Sequence, residues 1–304
     1  MITSDIHSFY RTAFGVAATQ VISRLFGQLI ENMPGTRDGS DIEALHDMRV
    51  ASRRLRAALR VFRPCFPDEY WMDVEDMIRS ITQALGVVRD HDVFINYLHN
   101  YRKANPKQNI KWLIKKEQDL RELEREQMLQ ALDSFAGSDP ESKISVLLES
   151  VSKTWADSNK LRKNQFGERA IAPVQKRIAA IMTFDEIIGN EEDNTGLHLM
   201  RIAAKKLRYT LEAFAPCFGP PFLDAINSVK SIQEYLGQLH DCDVWIEKLK
   251  GYLQDSKNAD SLNNLIADRI QARHNAYLNA VESWNLLKES VLPPLIQNLS
   301  ADKS

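Results

Sequence analysis

A long internal repeat is the feature that most constrains the fold of this chain. The longest match pairs 21 residues with 21 others, and 11 of these positions are identical. Three separated blocks at a nearly constant offset indicate an internal duplication, in which one folding unit occurs twice. The matching blocks, at offsets of 151 or 152, are residues 46–66 with 198–218, residues 85–93 with 236–244, and Phe14-Gly15 with Phe166-Gly167.

Each half of the chain is predicted to form four helices, so the expected fold class is all-α. Proline and glycine separate segments of helical period, and no stretch shows sustained β-type alternation. Asp139-Pro140 marks the join, which gives domains 1–138 and 139–304, and Ser40 or Asp41 is the predicted N-cap of the second helix. The predicted helices lie near residues 5–33, 41–63, 69–102 and 107–136, then 166–188, 194–214, 221–253 and 260–290, with a connecting helix near 141–158.

The composition is that of an ordinary globular protein, with 44% apolar and 26% charged residues. The three cysteines, Cys65, Cys217 and Cys242, form no Cys-x-x-Cys pair, which favours a reducing cytoplasm over a disulfide framework or a zinc cluster. The first residues lack a basic leader, and polar residues interrupt the apolar stretch 13–22. We therefore expect a cytoplasmic protein without a membrane segment.

Each copy of the repeat carries a basic face on its second helix. At about 100° per residue, the basic side chains group on one side of the helix and the apolar ones on the other. The N-terminal stripe comprises His46, Arg49, Arg53, Arg56 and Arg60, with Arg54 on its flank. The C-terminal stripe comprises His198, Arg201, Lys205 and Arg208, with Lys206 on its flank. The predicted core faces opposite them comprise Met48, Leu55, Leu59 and Phe62, and Met200, Leu207, Leu211 and Phe214.

The stripes contain few carboxylates of their own. Six arginines accompany one aspartate between His46 and Arg63, and like charges three or four residues apart repel on a helix. Guanidinium groups grip phosphate oxygens in pairs, and a protonated histidine donates from either ring nitrogen. Despite the net charge of −2, the local pattern favours a phosphate-rich polyanion as partner. The alternative is a solvated basic face, paired with acidic residues of a neighbouring helix.

The second repeated block contains acidic residues two positions apart, Asp90 and Asp92 in the first copy and Asp241 and Asp243 in the second. Residues i and i+2 point in nearly opposite directions on a helix, so one metal ion would not easily collect both. We expect these aspartates to bond with neighbouring basic helices, and the preceding Leu-Gly to allow close helix packing. No phosphate-binding loop or other catalytic motif is present, so we expect no cofactor, no metal and no enzymatic activity.

The motif His46-x-x-Arg-Val-x-x-Arg-Arg-Leu-Arg, repeated from His198, resembles the signature of the CHAD family (conserved histidine α-helical domain). The Arg-Asp-x-Asp-Val element at 89–93 and its counterpart at 240–244 resemble the family's second signature. The resemblance extends from about residue 5 to residue 290. It implies two four-helix bundles related by a pseudo-twofold axis, with basic surface between them. It also implies binding of inorganic polyphosphate and association with polyphosphate granules.

The resemblance implies binding roles for the residues of both stripes. Carried over to this chain, the candidates are His46, Arg49, Arg53, Arg54 and Arg56, then His198, Arg201, Lys205, Lys206 and Arg208. The helical phase adds Arg60, and Tyr209 follows Arg208 in the motif. The second stripe is less basic than the first, because Glu212 matches Arg60 and His240 matches Arg89. Unequal contributions of the two halves therefore stay open.

Two alternatives to non-catalytic polyphosphate binding stay open at this point. One is an enzyme, either a phosphohydrolase or a phosphohistidine carrier acting through His46 and His198. The other is a nucleic-acid binder, since a basic stripe that grips polyphosphate can also grip a phosphodiester backbone. Apart from Tyr209, the stripes lack the interleaved aromatic residues on which nucleic-acid bases stack, which disfavours the second alternative.

Overall fold

A computed structural model describes residues 13–39, 41–155, 165–215, 218, 220–253 and 258–301. Those residues are helical almost throughout and contain no β-strand, apart from an isolated bridge between Ala13 and Gln165. The expected all-α fold class is therefore confirmed. None of the helices formed by these residues is both long and apolar enough to cross a membrane. Among the predicted features, helical residues 5–12 and 156–158, Ser40 and Cys217 lie outside the described residues.

The chain divides into two compact units. The N-terminal unit contains Phe14–Lys163, and the C-terminal unit contains Asn164–Ser304 together with Met1–Ala13. The described helices of the N-terminal unit are α1 (Phe14–Glu31), α2 (Met33–Asp38), α3 (Ile42–Val61), α4 (Asp68–Ala104), α5 (Lys111–Gly137) and α6 (Pro140–Trp155). Those of the C-terminal unit are α7 (Phe166–Met182), α8 (Asn194–Phe214), α9 (Pro220–Leu253), α10 (Ala259–Leu286) and α11 (Leu292–Ala301).

Helix α6 belongs to the N-terminal unit and does not act as a connector. It packs on α1 and α4, just as α11 packs on α7 and α9 in the C-terminal unit. Its apolar side chains recur at helical spacing, and Ile144, Leu147 and Val151 are buried. An apolar face of this kind has to be covered, and α1 and α4 cover it. The units therefore divide after α6, and not at residues 138 and 139 as the sequence suggested.

Several helix ends differ from the predicted ones. Pro34-Gly35, expected to break the chain, lies within α2, because proline is tolerated in the first helical turn, where N–H groups have no acceptor in the helix. The break falls instead at Asn32, and Gly39 ends α2 with a φ of 74°. Helix α7 ends at Met182, earlier than predicted. The last predicted helix continues through a π-helical turn, Leu287–Val291, into α11.

The apolar faces of α3 and α8 form the centres of the two cores, as predicted. In the N-terminal unit the rings of Phe14 and Phe62 pack 5.2 Å apart at an angle of 47°. In the C-terminal unit the rings of Phe166 and Phe214 pack 5.1 Å apart at 41°. These contacts fix α3 against α1 and α8 against α7. All eight predicted core-face residues are fully buried: Met48, Leu55, Leu59, Phe62, Met200, Leu207, Leu211 and Phe214.

Candidate functional site

Helix α3 carries the N-terminal stripe. The helix begins after Asp41, whose carboxylate accepts a hydrogen bond of 2.8 Å from the backbone N–H of Glu43, as a helix N-cap does. The predicted binding residues lie on the side opposite the buried apolar face. Arg60 is exposed, and the others are half-buried: His46, Arg49, Arg53, Arg54 and Arg56.

A buried carboxylate on α4 binds two arginines of the N-terminal stripe. Glu75 is 6% exposed, and its Oε1 accepts hydrogen bonds of 3.0 Å from the Nη2 atoms of both Arg56 and Arg60. Burial raises the pKa of Glu75, but the hydrogen bonds and charges of the two arginines outweigh burial and hold the pKa below its ordinary value. One carboxylate cannot neutralise two guanidinium groups, so the cluster keeps a net positive charge. Glu75 is not among the residues predicted from the sequence.

In the C-terminal unit a carboxylate also binds Arg208, the counterpart of Arg56. This carboxylate does not correspond in position to Glu75. Glu212 lies one turn further along α8, and its Oε1 accepts a hydrogen bond of 2.8 Å from Nε of Arg208. At the offset of 151 that relates the long helices, the position of Glu75 corresponds to Ile226. In each unit, therefore, this arginine is bound by a carboxylate of the same unit. The carboxylate lies on the long helix α4 in the N-terminal unit and on the stripe helix α8 in the C-terminal unit.

The other predicted binding residues on α8 differ in their exposure to solvent. Lys206 is exposed, whereas Arg201, Lys205 and Tyr209 are half-buried. The guanidinium group of Arg208 lies over the ring of Tyr209, 5.2 Å from the ring centroid, in a cation–π arrangement. One face of the Tyr209 ring is thus covered by a side chain of the stripe itself.

The first arginine of each stripe lies beside a glycine of the long helix. A Cβ atom placed at Gly86 would lie 3.8 Å from Nε of Arg49, and one placed at Gly237 would lie 3.6 Å from Nε of Arg201. Both are ordinary van der Waals distances to a side chain, so these glycines do not allow close helix packing, and that prediction was wrong. They leave space for the arginine. Nη2 of Arg49 also lies 3.5 Å from Oδ1 of Asp90, which is a long contact for an ion pair.

The second aspartate of each acidic pair binds an arginine of the neighbouring helix. Nε of Arg121, on α5, donates to Oδ1 of Asp92 at 2.6 Å. Nε of Arg273, on α10, donates to Oδ1 of Asp243, also at 2.6 Å. The predicted pairing with a neighbouring helix is therefore confirmed for these two aspartates, although α5 and α10 carry mixed charge and are not basic helices. Nowhere in the described parts of the two units do three or more His, Cys, Asp or Glu side chains group as metal ligands would.

The two stripe histidines have different surroundings. Nδ1 of His46 is buried and has no hydrogen-bond partner among the described residues. Nδ1 of His198 lies 3.2 Å from Nδ1 of His240 on α9, and the two ring centroids are 4.5 Å apart. Burial, followed by the charges of Arg201 and His198, lowers the pKa of His240 to about 4, and Lys205 contributes in the same direction. The sequence repeat aligns His240 with Arg89, but the contact of His240 with His198 was not predicted.

A cleft outside the stripes lies in the C-terminal unit, between α9, α10 and the segment before α8. Three of its carboxylates are paired within the unit, those of Glu191, Asp243 and Glu247. Glu191 accepts hydrogen bonds from Arg273 and His274, and Glu247 pairs with Lys250. The contacts of Glu191 join α10 to the segment before α8.

Comparison with known proteins adds a family and a fold. The CHAD domain family model matches residues 20–250. The crystal structure of the CHAD domain from the plant Ricinus communis is similar with a TM-score of 0.62 and 21% sequence identity, covering 95% of this chain and 91% of that chain. PptA from Streptomyces chartreusis is similar with a TM-score of 0.59 and 13% identity, covering 90% and 100%. At these identities the similarity shows a common fold. No curated protein matches the chain in sequence.

Proposed function

The chain belongs to the CHAD domain family, and we propose that it binds inorganic polyphosphate through the N-terminal and C-terminal stripes without catalysing a reaction. The observation that carries the proposal is the sharing of one carboxylate, Glu75, by Arg56 and Arg60. These arginines are held in place and keep a net positive charge. A polyanion can supply the remaining negative charge, and the forked donors of arginine match phosphate oxygens.

The shape of the stripes supports polyphosphate over nucleic acid. Basic side chains follow one another along a single helix face, three or four residues apart, which suits a linear chain of phosphates without bases. The one aromatic residue of the stripes, Tyr209, has a ring face covered by Arg208 at 5.2 Å. That contact competes with base stacking, on which proteins that bind single strands depend.

The contacts of the nearby carboxylates support a non-catalytic role. Phosphoryl transfer needs carboxylates that hold Mg²⁺ or position the nucleophile. Glu75 binds two stripe arginines, and Asp92 and Asp243 each bind an arginine at 2.6 Å. These carboxylates are engaged within their units. The place of action that we propose is the cytoplasm, at polyphosphate granules.

We also propose that the two units are copies of one ancestral unit. Three features recur at equivalent positions: a tilted phenylalanine pair at the core, an arginine beside a glycine of the long helix, and an arginine–aspartate bond of 2.6 Å. An experimental structure tests the proposal by superposition, which should pair His46 with His198 and Leu55 with Leu207. Unrelated positions of these helices would contradict the duplication.

The proposed function is tested by neutralising each stripe separately. The Arg49→Gln/Arg53→Gln variant and the Arg201→Gln/Lys205→Gln variant should each bind long-chain polyphosphate more weakly, and their combination more weakly still. Each lost phosphate contact should reduce the log–log salt slope by up to about 0.7, the value for single-stranded nucleic acids. The matched control is Lys115→Gln/Lys116→Gln on α5, where Lys115 forms an exposed ion pair with Asp119.

The same titration separates the proposed function from its alternatives. Single-stranded DNA and RNA serve as competitors, and released phosphate is measured throughout. We expect polyphosphate to be preferred and no phosphate to be released. An equal preference for RNA would favour a nucleic-acid binder, and release of phosphate that depends on His46 or His198 would favour an enzyme. If the α5 control lost as much affinity as the stripe variants, diffuse charge would account for binding and the site assignment would fail.

A further inference from the structure

The contact between His198 and His240 constrains how the pair can bind protons. With the two Nδ1 atoms 3.2 Å apart, one ring donates an N–H and the other accepts with its lone pair. An added proton can enter at Nε2 of the donating ring, and the bond between the rings survives. A second added proton would have to enter at the accepting Nδ1, where it would abolish the bond and place two cations in contact. The pair can therefore bind one added proton while the hydrogen bond between the rings is kept.

Charges around His240 oppose its protonation while no anion is bound. From α8, Arg201 and Lys205 face His240 and disfavour its charged form, and a proton on His198 would act in the same direction. On its own helix Asp243 acts in the opposite direction, but Asp243 is bound by Arg273 of α10. Burial is the largest cause of the lowered pKa of His240, about 4. At neutral pH the ring of His240 is thus uncharged.

We propose that His240 is a further anion-binding residue of the C-terminal stripe, and that the His198–His240 pair takes up one proton from solvent when polyphosphate binds. The inference rests on the proposed function. Phosphates held by Arg201 and Lys205 bring negative charge beside the pair and offset the positive charge that opposes protonation of His240. The proton bonds to the free Nε2 of the donating ring, and the resulting imidazolium can donate a hydrogen bond to a phosphate oxygen.

The N-terminal unit provides an internal comparison. Arg89 occupies the position that corresponds to His240, so the charge there is permanent. His46, the counterpart of His198, has a buried Nδ1 without a partner among the described residues. The paired-ring arrangement is thus found in the C-terminal unit, and we infer that the two stripes differ in their dependence on pH. Polyphosphate binding by the C-terminal stripe strengthens as the pH falls.

The experiment measures proton uptake on binding. Long-chain polyphosphate is titrated into the full chain by calorimetry at pH 5, 6, 7 and 8, at constant ionic strength, in two buffers of different ionisation enthalpy. The Arg49→Gln/Arg53→Gln background weakens binding by the N-terminal stripe, so that the C-terminal stripe contributes more of the signal. Uptake of one proton raises the association constant by up to about tenfold per pH unit as the pH falls. Nitrogen chemical shifts of the His240 ring report its protonation directly, with and without polyphosphate.

Two variants at position 240 and one control decide the result. His240→Arg copies the N-terminal unit and should bind at least as tightly at pH 7 with a flatter pH profile. His240→Gln should bind more weakly at pH 5 and lose the proton uptake. The control, His99→Gln, replaces an exposed histidine far along α4 and should leave both quantities unchanged. Circular dichroism checks that each variant is folded.

The outcomes for the inference and for the proposed function are distinguishable. Binding at every pH with the same proton uptake in wild type, His240→Arg and His240→Gln would overturn the inference and leave the proposed function intact. A folded protein that binds no polyphosphate at any pH would overturn both. Proton uptake that disappears in both His240 variants and persists in His99→Gln would support the inference.

Discussion

Glu75 Oε1 and Arg56 Nη2 lie 3.0 Å apart on neighbouring helices, and the carboxylate is almost fully buried. This contact joins α4 to the stripe helix α3, and Arg60 bonds to the same oxygen. The stripe therefore also has a structural role, because Arg56 and Arg60 hold α3 against α4. The alternative interpretation of the sequence, a solvated basic face paired with acidic residues, is correct in one respect, since a neighbouring helix does supply a carboxylate.

Replacing Glu75 with glutamine should change stability and binding in opposite directions. The free energy of unfolding should fall by about 1–3 kcal/mol, because two arginines lose a charged partner. Polyphosphate affinity at low salt should rise by up to about fivefold, the equivalent of roughly 1 kcal/mol for a removed charge near the ligand. Urea denaturation and binding titrations measure the two quantities. Asp76→Asn on the same helix is the control, because Asp76 is exposed and pairs with an exposed Arg79. It should change both quantities little.

The stability supplied by Glu75 should depend on pH in a defined direction. The pKa of Glu75 in the folded protein lies below its ordinary value of 4.5. Its contribution is therefore present in full above the ordinary pKa and is lost as the pH falls through the folded-state pKa. Denaturation of wild type and Glu75→Gln between pH 3 and pH 6 should show a difference in unfolding free energy that shrinks below about pH 4.5. A difference that stays constant over this range would refute the charge-based explanation.

Alanine should be accepted beside the stripe arginines. At Gly86 the added methyl group would meet Arg49 at 3.8 Å, and alanine is favoured over glycine within a helix. Gly86→Ala should raise the unfolding free energy by about 0.5–1 kcal/mol and leave polyphosphate binding unchanged. Gly86→Leu should displace the Arg49 side chain and weaken binding. Thermal denaturation and polyphosphate titration test both variants.

Gly196 provides the contrasting position for that experiment. A methyl group there would clash with the side chains of Asp193 and Ile187. Gly196→Ala should therefore lower the melting temperature, whereas Gly86→Ala should raise it. If both substitutions raised the melting temperature equally, the distances around Gly196 would be wrong.

Helix α6 should behave as part of the N-terminal core. Leu147 is fully buried, and Leu147→Ala should lower the unfolding free energy by about 2–5 kcal/mol. Its neighbour Val146 is 42% exposed, and Val146→Ala should change stability by no more than about 0.5 kcal/mol. Chemical denaturation compares the two. Similar small losses would mean that α6 is a connector after all.

Features set by local periodicity were predictable from the sequence. The core faces of α3 and α8 are buried as expected, because a period of 3.6 residues fixes which side chains share a helix face. The pairing of Asp92 with Arg121 was also predictable in kind, since a carboxylate on a packed helix needs a partner. The identity of the arginine was not, because residues 29 positions apart meet only in the tertiary fold.

Features that depend on which helices meet were missed. Glu75 and His240 act on the stripes from the long helices, and no local pattern on α3 or α8 indicates them. A signal for Glu75 was present, since it lies three residues before the buried Ile78 and so shares its helix face. The role of α6 also had a signal: α6 begins at Pro140 and α11 at Leu292, at the same offset of 152 as the stripes. At that offset Ile144 and Leu147 match Ile296 and Leu299.

The different origins of the carboxylates that bind Arg56 and Arg208 constrain the order of past mutations. If both units descend from one ancestor, the arginine stayed while its acidic partner changed from one helix to another. A lineage that lost the first carboxylate before gaining the second would have carried a half-buried guanidinium without a counter-ion, at a cost in stability. Gaining the second carboxylate before losing the first avoids that intermediate. If the units share an ancestor, the arginine is therefore the part of this contact that both copies retain, and the helix that supplies its partner differs between them.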